Sequence, residues 1–189
     1  MKLRIATRAS NLALVQTRWV GHQLRSHFPD LDVEEVHVKT KGDRILDRPL
    51  AQVGGKGLFV SEVEAVVVRG DADFAVHSLK DVPGDVPLAK GMGILSVPVR
   101  EDPRDVLLTV DGIDLHSLRR GAKVGTTSRR RVVQLQRQRP DLVFVPLRGN
   151  IETRMRKLHE GQCDAIVLAA AGLARTGILD DTPHVVLLS

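Results

Sequence analysis

The chain has 189 residues, enough for one large domain or for two domains of roughly 90 residues each. Hydrophobic residues make up 42% of it and charged residues 27%, which is typical of a soluble globular protein and excludes a disordered chain. No apolar run approaches the roughly 18 residues of a membrane span, and Lys2, Arg4 and Arg8 leave no room for a signal-peptide core. We therefore expect a cytoplasmic protein with no membrane partner.

Metal and disulfide chemistry are disfavoured by the counts of their ligands. The single cysteine, Cys163, excludes an intramolecular disulfide and a cysteine-based zinc site. The seven histidines include no pair spaced four residues apart, so we expect no bound metal. Because Cys163 leads into an apolar run, a structural role is favoured for it over that of a nucleophile.

Positive charge is concentrated in one stretch of the chain. The protein carries 28 basic and 23 acidic residues, a net charge of +5, and the stretch 119–139 contains eight basic residues and no acidic one. Such a stretch predicts an anionic ligand. Nucleic acid is the weakest candidate, because only 3% of the residues are aromatic and no nucleic-acid-binding motif is present. We expect no nucleic-acid partner.

Strand and helix patterns alternate along the chain. In the first half they predict a strand at 3–7, a helix at 12–27, a strand at 33–39, a long mobile loop at 40–57, a helix at 59–69, a strand at 72–77 and an extended run at 94–99. In the second half they predict strands at 123–126, 142–145 and 165–169, each followed by a helix, at 128–139, 151–160 and 170–176.

This alternation predicts an α/β protein with parallel or mixed sheets covered on both faces. The charged segment 100–105 looks like a crossover between two lobes. We expect domain 1 at 1–95, a crossover at 96–102 and domain 2 at 103–189.

Two turns of the second half combine a helix start with arginines. Thr126 and Ser128 lie between a strand and a helix that begins Arg129, Arg130, Arg131, so backbone N–H groups, hydroxyls and positive charge can converge on an anion. The alternative is a capped helix with solvated arginines. The next strand-to-helix turn carries Arg148 and Arg154, for which ordinary surface arginines are an equal alternative. Neighbouring strands should bring both turns to the same edge of the sheet.

Two motifs of the first half resemble parts of catalytic or phosphate-binding sites. The glycines around Lys56 lack the spacing of a phosphate-binding loop and instead suggest a hinge. In the segment 77–81 a nucleophilic pair of Ser78 and His77 is disfavoured, because adjacent strand residues point to opposite faces. An ionised Asp81 after that strand could stabilise a developing cation or transfer a proton. Its alternative role is to cap the turn.

Eight segments in the same order resemble one known family, porphobilinogen deaminase (hydroxymethylbilane synthase). They are 5–16, 40–43, 54–59, 75–83, 100–105, 125–131, 147–154 and 164–173. The resemblance implies a three-domain enzyme that condenses four porphobilinogens head to tail, with release of ammonia, on a covalently attached dipyrromethane. It also implies that the first two domains are lobes like those of type II periplasmic-binding proteins, each a mixed sheet flanked by helices, with a cleft between them.

The resemblance also assigns site residues by position. Asp81 matches the catalytic aspartate, and Phe59 matches an aromatic residue beside the pyrrole rings. The remaining matches are binding positions for the cofactor and the substrate: Arg8, Ser10, Lys56, Ser78, Lys80, Thr126, Ser128, Arg130, Arg131, Arg148 and Arg154. Arginines suit this ligand, because each ring brings an acetate and a propionate and hence roughly two negative charges.

The resemblance raises one difficulty about the dipyrromethane. In the family it is attached to a cysteine of the third domain, which has no match here, since Cys163 matches the end of domain 2. We therefore expect a monomer that binds porphobilinogen but is inactive when it consists of these 189 residues alone. The alternative is a non-catalytic module, like a periplasmic-binding protein, for a polycarboxylate small molecule.

Overall fold

The protein is described from a computed structural model, which describes residues 1–40, 42, 57, 60–181 and 185–188. The chain divides into two compact units, which we call the first unit (Met1–Pro98) and the second unit (Val99–Ser189). The domain boundaries at 95 and 103 stay a prediction.

The first unit has a three-stranded parallel sheet in its described part. Strand β1 (Lys2–Arg8) lies between β2 (Asp32–Val38) and β3 (Phe74–Ala75), with Leu3 opposite Val33 and Ile5 opposite Phe74. Helix α1 (Asn11–His27) connects β1 to β2, and α2 (Ser61–Val68) precedes β3. A short 3₁₀ helix, Leu79–Asp81, follows β3. The carboxyl ends of β1 and β3 therefore meet at one edge of this sheet.

Burial explains why β1 is the central strand of the first unit. Ile5, Ala6 and Thr7 are fully buried, and Ala6 packs in a core with Val63 of α2. Two buried threonines satisfy each other, because the hydroxyl of Thr17 donates to the Thr7 hydroxyl oxygen at 2.7 Å. This bond fixes α1 against the strand whose end leads to the candidate site.

The described part of the second unit has a five-stranded mixed sheet. Its strands are β4 (Asp105–Leu108), β5 (Lys123–Gly125), β6 (Val143–Val145), β7 (Ala165–Ala169) and β8 (Val185–Leu188). Across the sheet they lie in the order β6, β5, β7, β4, β8. β5, β6 and β7 run parallel, whereas β4 is antiparallel to both β7 and β8. Its helices are α3 (Arg129–Gln138), α4 (Ile151–His159), α5 (Ala170–Arg175) and α6 (Ile178–Asp181).

Alternate residues of the central strands of the second unit enter two different cores. Val106, Ile166 and Leu168 belong to one apolar cluster, while Leu107 and Val167 belong to another. Successive strand residues point to opposite faces, so both faces of this sheet are covered. The predicted α/β class is thereby confirmed.

Several predicted elements differ in extent from the observed ones. The strand predicted at 72–77 is reduced to Phe74–Ala75, and the run 94–99 forms no strand among the described residues, where Val99 is 97% exposed. The crossover predicted at 100–105 ends in a strand, because Asp105 pairs with Ala169 of β7. β4, α6 and β8 were not predicted. Most of the predicted mobile loop, including Lys56, lies outside the described residues, and so does Phe59 at the start of the predicted helix 59–69.

None of the helices in the described ranges is both long enough and apolar enough to cross a membrane.

Gly125, the last residue of β5, sits where a side chain does not fit. A Cβ there would lie 2.8 Å from Cδ2 of Leu147 and 3.1 Å from Sγ of Cys163. We expect Gly125→Ala to lower the free energy of unfolding by about 1–3 kcal/mol, the usual cost of overpacking. Chemical denaturation measures this. At Gly84, where a Cβ would meet no described atom within 4 Å, the same substitution is the control, and equal effects at both positions would contradict the steric explanation.

Candidate functional site

The first unit has a small cleft at the carboxyl ends of β1 and β3, which we call the Asp81 cleft. Its wall includes Arg8 at the end of β1, Ser10 before α1, Gln16 on α1, and His77 and Asp81 after β3. The cavity measures about 40 Å³, room for a few water molecules at most. In an α/β sheet this edge is where ligands usually bind.

The segment after β3 is held by two hydrogen bonds. The hydroxyl of Ser78 donates to Oε1 of Gln16 at 3.0 Å, and the Asp81 N–H donates to the Ser78 carbonyl oxygen at 2.9 Å. The proton of the Ser78 hydroxyl is thus donated to Gln16. No hydrogen bond between Ser78 and His77 is found among the described residues, so a nucleophilic pair of serine and histidine stays disfavoured.

The carboxylate of Asp81 is exposed at the cleft. Among the described side chains none forms a hydrogen bond or ion pair with it, and the 3₁₀ helix Leu79–Asp81 has no side-chain cap. The capping role considered for Asp81 is therefore not seen in the described structure. Lys80, the neighbouring predicted residue, is also exposed.

His77 is the cleft residue with the most unusual environment. Its Nε2 atom is buried and has no hydrogen-bond partner within the described residues. Burial lowers the pKa of the imidazole, and the charge of Arg8 lowers it further, whereas the Asp81 carboxylate acts in the opposite direction. The net effect favours a neutral imidazole. Sequence reasoning considered His77 only as a partner of Ser78 and did not predict this.

In the second unit, the turn between β5 and α3 forms as a capped helix start. The Ser128 hydroxyl accepts a hydrogen bond from the Arg131 N–H at 3.4 Å, and Oγ1 of buried Thr126 accepts one from the Ser128 N–H at 3.2 Å. The Thr126 N–H donates to the Val145 carbonyl oxygen at 3.0 Å, which joins this turn to the end of β6. Arg130, in the first turn of α3, is exposed.

The guanidinium of Arg131 is buried and held by the sheet. Its Nε and Nη2 donate to the two carboxylate oxygens of Asp105 at 3.0 and 2.6 Å, and Nη1 donates to the Val167 carbonyl oxygen at 2.8 Å. Three of its five N–H donors are thereby used. Asp105 is a structural partner that the sequence did not identify, because it lay within a segment taken as a crossover.

The turn between β6 and α4 brings two more arginines to the same place. Nε of Arg154 donates to the Gly149 carbonyl oxygen at 2.8 Å, and the side chain of Asn150 caps α4 by accepting from the Thr153 N–H at 2.9 Å. Gly149 has a φ of +122°, a conformation open to glycine.

Burial lowers the pKa of Arg154, and the positive charges of Arg131 and Arg148 lower it further. We call Arg131, Arg148 and Arg154 the arginine cluster. Repulsion among its members favours the binding of an anion, which would relieve it. As predicted, the two turns open on the same edge, because β5 and β6 are parallel neighbours.

Cys163 lies in the apolar core of the second unit. It is only 5% exposed and packs with Leu147 and Ile166, and burial raises the pKa of its thiol. The structural role predicted for it is consistent with this position. The described residues also contain no group of three or more histidine, cysteine or acidic side chains that could hold a metal ion.

The family model described as "Porphobilinogen deaminase, dipyromethane cofactor binding domain" matches residues 3–189. The chain belongs to the porphobilinogen deaminase family.

Relatives of the chain carry the same family name. It is 54% identical over 179 residues to "Porphobilinogen deaminase" of Geobacter sulfurreducens, covering 95% of this chain and 55% of the relative. It is 56% identical over 173 residues to the protein of that name in Syntrophotalea carbinolica, covering 92% and 54%. The chain therefore spans about half the length of these curated relatives.

A solved structure shares the fold. The probable amino-acid ABC transporter extracellular-binding protein of Bacillus subtilis superposes with a TM-score of 0.51 at 11% sequence identity, covering 89% of this chain and 70% of that one. This likeness concerns the fold, and it confirms the predicted similarity to periplasmic-binding proteins.

The electrostatics of His77 can be tested by titration. We expect its pKa to lie below the ordinary value of about 6.5, to fall further in Asp81→Asn and to rise in Arg8→Gln. The reason is that Asp81 stabilises the imidazolium whereas Arg8 destabilises it. NMR titration of the labelled histidine measures the three values. A shift in the same direction for both variants would contradict the assignment.

Proposed function

We propose that the chain provides the acidic and the anion-binding groups of a porphobilinogen deaminase. This enzyme polymerises four porphobilinogens to hydroxymethylbilane and releases ammonia. The observation that carries the proposal is the chemical difference between the two units: one presents the Asp81 carboxylate, which has no partner among the described side chains, and the other a cluster of arginines. The reaction needs both, because it develops positive charge on a substrate that already bears two carboxylates.

The role proposed for Asp81 follows from the charge that the reaction develops. When the aminomethyl nitrogen of porphobilinogen leaves as ammonia, positive charge spreads onto the pyrrole nitrogen. An ionised carboxylate close to that nitrogen lowers the barrier electrostatically and can accept the proton that is lost later. The lack of a described partner for the Asp81 carboxylate supports this role, since its charge is not neutralised in advance.

The arginine cluster is proposed to bind the acetate and propionate groups. Arginine pairs with carboxylates through two parallel N–H bonds, and Arg131 keeps two N–H donors after its bonds to Asp105 and Val167. Thr126, Ser128, Arg130 and Arg148 would add donors at the same edge, and Arg8 and Ser10 would add theirs at the Asp81 cleft. Ser78, whose hydroxyl donates to Gln16, and Lys80 are proposed as binding residues from the resemblance. Lys56 and Phe59 are proposed by family resemblance alone.

The residues present fit the dipyrromethane cofactor that the family model names. The carboxylates of a dipyrromethane would suit Arg131, Arg148 and Arg154. Burial lowers the pKa of Arg154, and repulsion by the other two arginines lowers it further. The cofactor would supply the pyrrole carbon to which the first substrate is joined. Cys163 is unsuited to hold it, because the thiol is buried and its pKa is raised. We further propose that the protein is cytoplasmic and monomeric.

Asp81→Asn tests the electrostatic role. In a protein of full family length that carries this chain, we expect turnover to fall by roughly 10² or more, as for the loss of one preorganised charged group. Ammonia release from porphobilinogen measures this. Asp71→Asn removes an exposed carboxylate that is paired with Arg69 and should leave turnover unchanged. Normal turnover in Asp81→Asn would return Asp81 to a structural role.

Arg148→Ala tests the anion site. We expect enzyme species with short pyrrole chains to accumulate, because each added ring brings about two more negative charges to be neutralised. Mass spectrometry of the covalent intermediates measures their distribution. Arg156→Ala, on the exposed side of α4 and paired with Glu160, is the matched control. The same distribution in both variants would argue against the arginine cluster as the binding site.

A further inference from the structure

His77 lines the Asp81 cleft, and its buried Nε2 atom has no hydrogen-bond partner among the described residues. Buried polar atoms are nearly always paired, and leaving one unpaired destabilises the folded protein. Nε2 is the one buried side-chain nitrogen or oxygen found in this condition within the described residues. A cost of this kind is characteristic of binding sites, where a ligand supplies the missing partner.

The polar neighbours of His77 in the cleft do not satisfy Nε2. The Ser78 hydroxyl donates its hydrogen bond to Gln16. The charged side chains of the described cleft wall are Arg8, from the end of β1, and Asp81, from the 3₁₀ helix, and neither forms a hydrogen bond with Nε2. A group that enters the cleft is therefore the available partner.

We propose that His77 is a ligand-contact residue of the Asp81 cleft, whose Nε2 atom accepts a hydrogen bond from an N–H group of the bound substrate. This inference rests on the proposed function, because porphobilinogen offers two such donors, the pyrrole N–H and the aminomethyl ammonium. Hydrogen bonds of this kind are often completed only when the substrate is bound.

The charge of the His77 imidazole affects how much negative charge the Asp81 carboxylate can offer to the substrate. A cationic imidazole at this position would attract the carboxylate and offset the negative charge that the reaction needs. A neutral imidazole instead orients the substrate without neutralising Asp81. The burial of His77 and the charge of Arg8 both favour that neutral form.

Stability separates this role from a structural one. In His77→Leu the unpaired atom is replaced by an apolar side chain, so we expect the unliganded chain to keep or raise its thermal midpoint. His77→Gln, which keeps a polar group of similar reach, is the second variant, and His22→Leu, at an exposed position on α1, is the control. A midpoint lowered by several degrees in both His77 variants, but not in His22→Leu, would overturn the proposal.

Binding tests the contact itself. Calorimetric titration with porphobilinogen should show about tenfold weaker binding for His77→Leu than for the unsubstituted chain, the expected effect of one lost hydrogen bond. His77→Gln should recover most of the affinity, because its Oε1 can accept the same bond. The ¹⁵N resonance of Nε2 should also move when porphobilinogen is added, as it does when an imidazole nitrogen accepts a hydrogen bond.

The outcomes distinguish the two proposals. If the unsubstituted chain binds porphobilinogen and His77→Leu binds it equally well, the inference about His77 is overturned while the proposed function stands. If the unsubstituted chain binds no porphobilinogen, the proposed function is overturned together with the inference. Weaker binding in His77→Leu, with an unchanged or higher thermal midpoint and recovery in His77→Gln, supports the inference.

Discussion

The ion pair between Arg131 and Asp105 is the contact on which the anion site of the second unit depends. A buried guanidinium must be paired, since an unpaired buried charge is strongly destabilising. Asp105 provides two oxygens and Val167 a carbonyl, so the first turn of α3 is tied to both β4 and β7. This contact allows three arginines to gather at one edge of the sheet, where the pKa of Arg154 is lowered by burial and by the other two.

The candidate sites of the two units carry opposite charge. In the second unit, positive charges are concentrated and partly compensated by Asp105, which leaves capacity for an anion. In the first unit, the Asp81 carboxylate and the Nε2 atom of His77 are without described partners, so the cleft has unused capacity for a group that donates hydrogen bonds or carries positive charge.

The parallel strands explain why these groups come together at all. β1 and β3 end beside each other in the first unit, as do β5 and β6 in the second, and each end leads into a turn with polar side chains. Gly125 and Gly149 make these turns possible for different reasons. A side chain at Gly125 would collide with Leu147, whereas Gly149 adopts a positive φ. Gly125 ends the strand before the turn that leads to Arg131, and Gly149 directly follows Arg148.

The sequence by itself determined the α/β alternation, the strand-to-helix turns and the identity of Asp81, Arg131, Arg148 and Arg154 as candidates. These properties are local, because apolar periodicity, helix caps and charge spacing are expressed within a few neighbouring residues. The strands Asp105–Leu108 and Val185–Leu188 could not be predicted so readily, since each is stabilised by pairing with a strand distant in the chain. Tertiary structure alone decided that Asp105 holds Arg131 and that Nε2 of His77 lacks a partner, because both depend on which residues from distant segments surround a buried group.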